Sequence, residues 1–380
     1  MRAALVALPA SFLAGALATL VAGAPIASTA LAQPSGGWRD VVEPERLDAR
    51  RMLEQALVHV LLARQPRDPE LGDSEPWMEY ERALSRLAYA RRVLPDDPQA
   101  LFLTAVALSG WQRDDDTGAR ERRTDEALDA WQALRREHPR FMPDRVAFEL
   151  ALLYTFRRDY ARARAEYVIA LRHRIPRLPV IEPFDLLSPQ ITRAEYEMAG
   201  LYAPAGAPTL HANFAEVSML DGDLDAAVHH YEAALAASAD DPVGNALARW
   251  GLSLALDRRG AHTDALGHAA RALRADPVPA DDPRFARLRD RHGAFAVLHL
   301  SGVFFEPPCE VHAYEALGHE ALAQDPASGR SQEELRAALR SWRVFLTEGG
   351  NAARYADVAR AHVARLERLL GEPAPPARRP

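Results

Sequence analysis

Histidine and carboxylate groups at helical spacing are the first residues to weigh for chemistry in this 380-residue chain. His312, Glu315 and His319 stand at i, i+3 and i+7, which puts them along one side of a helix. Imidazole and carboxylate groups converging there could hold zinc, and a zinc-bound water could support hydrolysis. The spacing lacks the H-E-x-x-H arrangement, in which two histidines one turn apart share the metal. His312 and His319 are two turns apart, so the group reads as a polar helix face. His229 and His230 are neighbours that point about 100° apart on a helix, and they read as surface residues. Cys309 is the single cysteine, which excludes an intramolecular disulfide and a multi-thiolate zinc site. It follows Pro307-Pro308 at an expected helix start and reads as a partly buried, inert thiol. No G-x-S-x-G elbow or phosphate-binding glycine loop occurs, and Gly251-Leu252-Ser253 reads as a piece of helix. The chain is expected to be noncatalytic, with no metal and no cofactor. The alternative is an envelope hydrolase with a His/Glu metal site near His312.

Composition narrows the partners. The chain is 48% hydrophobic and 26% charged, enough to bury a large core and too apolar for bulk disorder. All 46 basic residues are arginine, yet the net charge is −7 and no long basic block appears. A general nucleic-acid partner is therefore not expected, since binding phosphates needs a concentrated positive face. Arg2, the apolar run Ala3 to Val21 and the small-residue ending Ser28-Thr29-Ala30-Leu31-Ala32 read as a secretory signal over residues 1–32, cleaved before Gln33. An uncleaved anchor is the competing reading, because the apolar run approaches the roughly 20 residues a span needs. No later stretch is long and apolar enough, so no integral span is expected after cleavage. The expected destination is the periplasm or the exterior.

These side chains would be carried almost wholly on helices. Leu47, Met52, Leu53, Ala56, Leu57, Val60 and Leu61 form one apolar stripe at helical spacing. Alternating β-branched segments are missing, so the expected fold class is all-α, without a β-sheet. Six Asp-Pro dipeptides punctuate the chain. Those at Asp97, Asp241 and Asp282 are best placed to open helices, the proline presetting φ and the aspartate capping free N–H groups.

A repeat then organises the helices. A small residue, a large one four later and a small or apolar one seven later recur along one helix face. The copies are Ala83/Leu87/Ala90, Ala127/Trp131/Leu134, Ala163/Tyr167/Ala170, Ala227/Tyr231/Ala234, Ala265/Ala269/Ala272, where alanine replaces the large residue, and Ala338/Trp342/Phe345. In the copy from about Thr209 to Pro242, Phe214-Ala215, Gly222, Ala227, Tyr231 and Ala234 stand in one register. This pattern resembles the tetratricopeptide repeat family, whose unit is two antiparallel helices in about 34 residues. Further matches are Leu252, Gly260, Ala265 and Ala272; Leu150-Ala151, Tyr154, Ala163, Tyr167 and Ala170, without the turn glycine; and Tyr314, Leu317-Gly318, Ala321, Ala338 and Trp342. The leading alanines are separated by 44, 36, 64, 38 and 73 residues, so the period is interrupted.

The resemblance implies a solenoid of helical hairpins with irregular insertions, a stack broken near 176–208, and a concave groove for a protein or peptide partner. The family's inward positions fall on Arg145, Phe148, Thr155, Glu216, Met219, Trp250, Asp257 and Arg258, with Trp250 and Arg258 central. The expected organisation is a signal over 1–32, N-terminal repeats over 38–175 and a proline-rich insert over 176–208. C-terminal repeats over 209–350, a capping helix over 351–371 and an unstructured tail over 372–380 complete it. Extra helices are expected over 191–202 and 283–303. The function these features suggest is a noncatalytic adaptor or assembly scaffold in a cell envelope. A membrane-tethered scaffold that keeps its N-terminal helix is the third reading.

Overall fold

The structure is a computed structural model that describes residues 43–64, 75–114, 120–173, 206–275, 277–278, 283–300, 303, 305, 307–324, 329–349 and 354–371. The expected signal and its cleavage point, the core of the proline-rich insert with its extra helix over 191–202, and the tail over 372–380 lie outside those residues. The fold is all-α. The described helices begin with α1 (Pro44–Arg64), α2 (Pro76–Val93), α3 (Pro98–Gly110), α4 (Thr124–Glu137), α5 (Pro143–Phe156) and α6 (Tyr160–His173). They continue as α7 (Ala207–Asp221), α8 (Leu224–Ala237), α9 (Pro242–Arg258), α10 (His262–Ala275) and α11 (Pro283–His292). A 3-10 helix (Gly293–His299) precedes α12 (Glu310–Ala323), α13 (Ser331–Gly349) and α14 (Ala356–Leu370). No described helix is long and apolar enough to cross a membrane.

Sequence punctuation accounts for many of the ends. Asp97 caps α3 by accepting hydrogen bonds from the Gln99 and Ala100 amides, and Asp241 caps α9 through Gly244. Pro283 opens α11. Gly222 and Gly260 take φ of 97° and 89° at the turns after α7 and α9, a left-handed conformation that costs glycine little. The corresponding turn after α5 has no glycine, and Arg158 takes φ of 58° there.

Helices pack as consecutive pairs, α1 with α2, α3 with α4, α5 with α6, α7 with α8, α9 with α10, and α12 with α13. The second helix of each pair packs on the first helix of the next. The recurring triplets all lie on those second helices, and every one of their residues is buried. Small residues let neighbouring helices approach and the large ones fill the space between pairs. The Tyr231 ring lies where a Gly251 side chain would be, and Phe295 and Trp250 occupy the same space beside Gly318.

Three expectations need correction. The stack is not broken around 176–208: α6 packs directly on α7, with Tyr167 stacked on Phe214 at 5.8 Å and Arg164 bonded to Asp221 at 2.8 Å. A small sheet exists, two antiparallel three-residue strands, β1 (Gln112–Asp114) and β2 (Arg120–Arg122). A cross-strand Arg113–Glu121 pair at 2.9 Å ties it, and Arg113 lies over Trp77 and Trp111. It sits between α3 and α4 and contributes no core layer. The helix expected over 283–303 ends at His292, where Gly293 takes φ of 55° and the chain tightens into the 3-10 segment.

Candidate functional site

The eight expected groove residues occupy the first helices of three pairs, α5, α7 and α9. The structure places them largely inside the protein. Arg145 pairs with Glu149 at 2.5 Å and lies over Phe148, whose ring meets Tyr167 edge-on. Thr155 donates its hydroxyl to the Ala151 carbonyl one turn back. Met219 and Trp250 are fully buried, Trp250 against Phe295. Arg145, Phe148, Thr155, Asp257 and Arg258 are all below a tenth exposed, and Glu216 alone is intermediate. The expected open groove at these positions is thus filled by the chain itself.

Two of the eight, Glu216 and Arg258, come together in a buried polar network. Tyr314 donates its hydroxyl to Glu216 Oε2 at 2.8 Å, and Tyr231 donates to the same oxygen. Arg258 forms an ion pair with Glu310, the two side chains only 2% and 5% exposed. The Tyr355 ring lies 4.0 Å from the Arg258 guanidinium, and its hydroxyl donates to the Met219 carbonyl. Burial and the nearby Glu310 charge push the Glu216 carboxyl up, opposed by the two tyrosine hydroxyls and Arg258. Burial also drives both tyrosines well above the ordinary phenol range, so neither is poised to give up a proton at neutral pH.

A second cluster fastens α14 to the body. His362 approaches Asp257 Oδ2 through Nε2 at 3.0 Å and Glu320 Oε1 through Nδ1 at 2.8 Å. His262 bonds the other Asp257 oxygen at 2.8 Å, Trp342 donates to Glu320 at 2.8 Å, and Arg365 pairs with Glu320. Burial alone would lower the His362 pKa, but the two carboxylates more than offset it and raise it to about 9. Burial works upward on Asp257, where hydrogen bonds from His262 and His362 prevail and hold it at about 2. His362 is thus a buried cation between two anions.

The third cluster contains the residues first weighed for metal chemistry, rearranged. His312 Nδ1 lies 3.2 Å from Glu315 Oε2, but His319 turns away and bonds Glu334 on α13 at 2.7 Å. Its place beside Glu315 is taken by His299 from the 3-10 helix, at 3.2 Å, with His292 stacked on His299. Burial acts upward on Glu315, and hydrogen bonds from His299 and His312 overcome it to hold the carboxylate at about 2.

His292, His299 and His362 escape sequence reasoning because their partners are set by tertiary packing. His230 is not a bare surface residue either: it stacks on Phe214 at 4.2 Å, and burial, then His211 and His229, lower its pKa to about 4. Cys309 is buried at the start of α12, and burial pushes its thiol up, away from nucleophilic use. A groove of about 410 Å³ lined by Arg135, His138, Phe141, Val146, Ile169 and His173 belongs to the α4–α6 region, away from all three clusters. Set against models of known protein families and against curated proteins, the chain matches none.

Proposed function

We propose that this chain is a noncatalytic helical-repeat protein of tetratricopeptide type, exported to the cell envelope, where it serves a protein or peptide partner as adaptor or assembly scaffold. The observation that carries the reading is the packing of the triplets. Six sets of residues at i, i+4 and i+7, each led by alanine, occupy the second helices of six pairs, and all are buried between neighbours. Stacked pairs of this kind build long surfaces suited to extended partners. The buried, high-pKa tyrosines and thiol favour structure over turnover. A partner seated at Arg258 must displace Tyr355, whose ring lies over the guanidinium, while Trp250 is buried against Phe295.

The test is affinity capture from envelope extracts with the mature chain as bait, followed by binding measurements on the captured protein. Trp250→Ala and Arg258→Ala both strike buried positions, so each is read by urea unfolding beside binding; binding weakened by at least about 1 kcal/mol in a variant that stays folded places the partner at this face. A captured partner that binds both variants as it binds the parent removes the partner from this face. Protein sequencing of the exported form bears on compartment: a start at Gln33 supports a cleaved signal, and an intact Met1 supports the tethered form.

A further inference from the structure

Three metal-ligating side chains from three elements converge beside the start of α12. His292 ends α11, His299 ends the 3-10 helix and Glu315 lies in the second turn of α12. One ligand atom from each lies within 4.8 Å of the other two. His299 Nε2 and Glu315 Oε1 are 3.2 Å apart. That matches the edge, about 3.3 Å, of a tetrahedron whose corners sit about 2.0–2.1 Å from zinc. The two imidazoles are stacked, centroids 3.5 Å apart and planes at 17°, so their in-plane lone pairs meet on one ion only after the His292 ring turns about its side-chain torsions. Among the described residues His292 has no hydrogen-bond partner, only this ring contact. Apolar rings would serve such packing as well, so the choice of two imidazoles asks for a further reason.

Glu315 is also held from behind. His312 Nδ1 engages Oε2 at 3.2 Å, and His312 Nε2 lies 3.3 Å from Glu348 Oε2. This carboxylate–imidazole–carboxylate chain leaves Oε1 turned toward His299, the kind of outer support that orients a metal-binding carboxylate. His299 and Glu315 side chains are 22% and 20% exposed, which gives an ion a way in. The other group with three close ligand atoms, Asp257, His262 and His362, differs in kind. There both nitrogens of His362 are already committed to carboxylates and Arg365 adds a positive charge.

We infer that His292, His299 and Glu315 form a binding site for one divalent transition-metal ion of the zinc class, with His312 as a positioning residue. Two imidazoles and one carboxylate suit Zn²⁺, Ni²⁺ or Cu²⁺ and disfavour Mg²⁺ and Ca²⁺, which prefer all-oxygen shells. Three protein ligands leave the fourth position of a tetrahedral ion to solvent. The inference stands apart from the scaffold reading, and either can fail alone.

The experiment is calorimetric titration of the untagged, EDTA-stripped full chain with zinc chloride, and with magnesium chloride as contrast. One zinc per chain is expected, with no saturable magnesium binding. His292→Ala, His299→Ala and Glu315→Gln are each expected to weaken zinc by about 100-fold, and His312→Gln by about 10-fold. His362→Gln should leave zinc affinity unchanged. Visible absorption of the cobalt-substituted protein gives a second readout, with bands of a four-coordinate site lost in His292→Ala. If His299→Ala fails to fold, His292→Asn at the half-buried end of α11 carries the test. Absence of saturable zinc binding overturns the inference. So does parent-like affinity in the His292 variants, or a loss seen with His362→Gln instead.

Discussion

The attachment of α14 should depend on pH through one side chain, His362. Its folded-state pKa of about 9 exceeds the ordinary value of 6.5, a difference equivalent to about 3 kcal/mol. Because the folded value is the higher one, this stabilisation is fully present below pH 6.5 and is lost as pH rises from 6.5 through about 9. Asp257 sets the other edge: its value is depressed from 3.8 to about 2, so its share is present above 3.8 and is lost as pH falls through about 2. The two edges describe one interaction, and their energies are not summed. The groups facing the imidazole are Asp257, Glu320, His262 and Arg365. The suitable assay is native-state hydrogen exchange of amides over 356–370, corrected for intrinsic rates, with EDTA present. Local opening of α14 should become easier by about 3 kcal/mol between pH 6 and pH 10. His362→Gln should show the weakened attachment already at pH 6 and flatten the dependence. Equal protection at both pH values in the parent protein would show that the imidazole is not held as a cation and does not fasten α14 by its charge.

Three further changes probe the packing, each read by urea unfolding. Gly251→Ala drives a methyl group into the Tyr231 ring and is expected to destabilise by about 1–3 kcal/mol; a neutral result would mean that α8 and α9 are not in this register. Tyr231→Ala should cost about 3–5 kcal/mol, because it empties a buried site between pairs and strips a donor from Glu216. A change below about half a kcal/mol is incompatible with that burial. Arg258→Met leaves Glu310 buried and unpaired, at a cost of about 3–5 kcal/mol. Adding Glu310→Gln should recover part of that loss, and a double variant no more stable than the single one would refute the pairing.

The all-α class and the triplet register were legible in the sequence because both follow from local rules. Helical periodicity, Asp-Pro caps and turn glycines act within one or two turns, and the buried triplets confirm the faces they implied. The β1–β2 hairpin was missed because three-residue strands are too short to alternate detectably, and Arg113–Glu121 alone offers no pattern. The partner of His319 was not legible for another reason. Spacing along one helix says which side chains share a face, not which neighbour meets them, and α13 brings Glu334 to His319.

The closed groove has a signal of its own. In an open array the first helix of each pair keeps one polar face toward solvent, and its apolar residues form a stripe. Here residues Ala100 to Leu108 of α3 are all buried, and their sequence is apolar nearly throughout. A helix that is apolar around its circumference must be covered around its circumference, so α3 already argued against an open concave face. α9 carries the same lesson in polar form. Its inward Asp257 and Arg258 look like partner-binding charges, yet their mates His362 and Glu310 lie 105 and 52 residues further along the chain. An unpaired buried charge is too costly to keep, so each inward charge needs a partner, and within one chain that partner can come from any later helix. For a repeat array, inward arginines and aspartates therefore mark a recognition face only after the chain's own opposite charges have been placed.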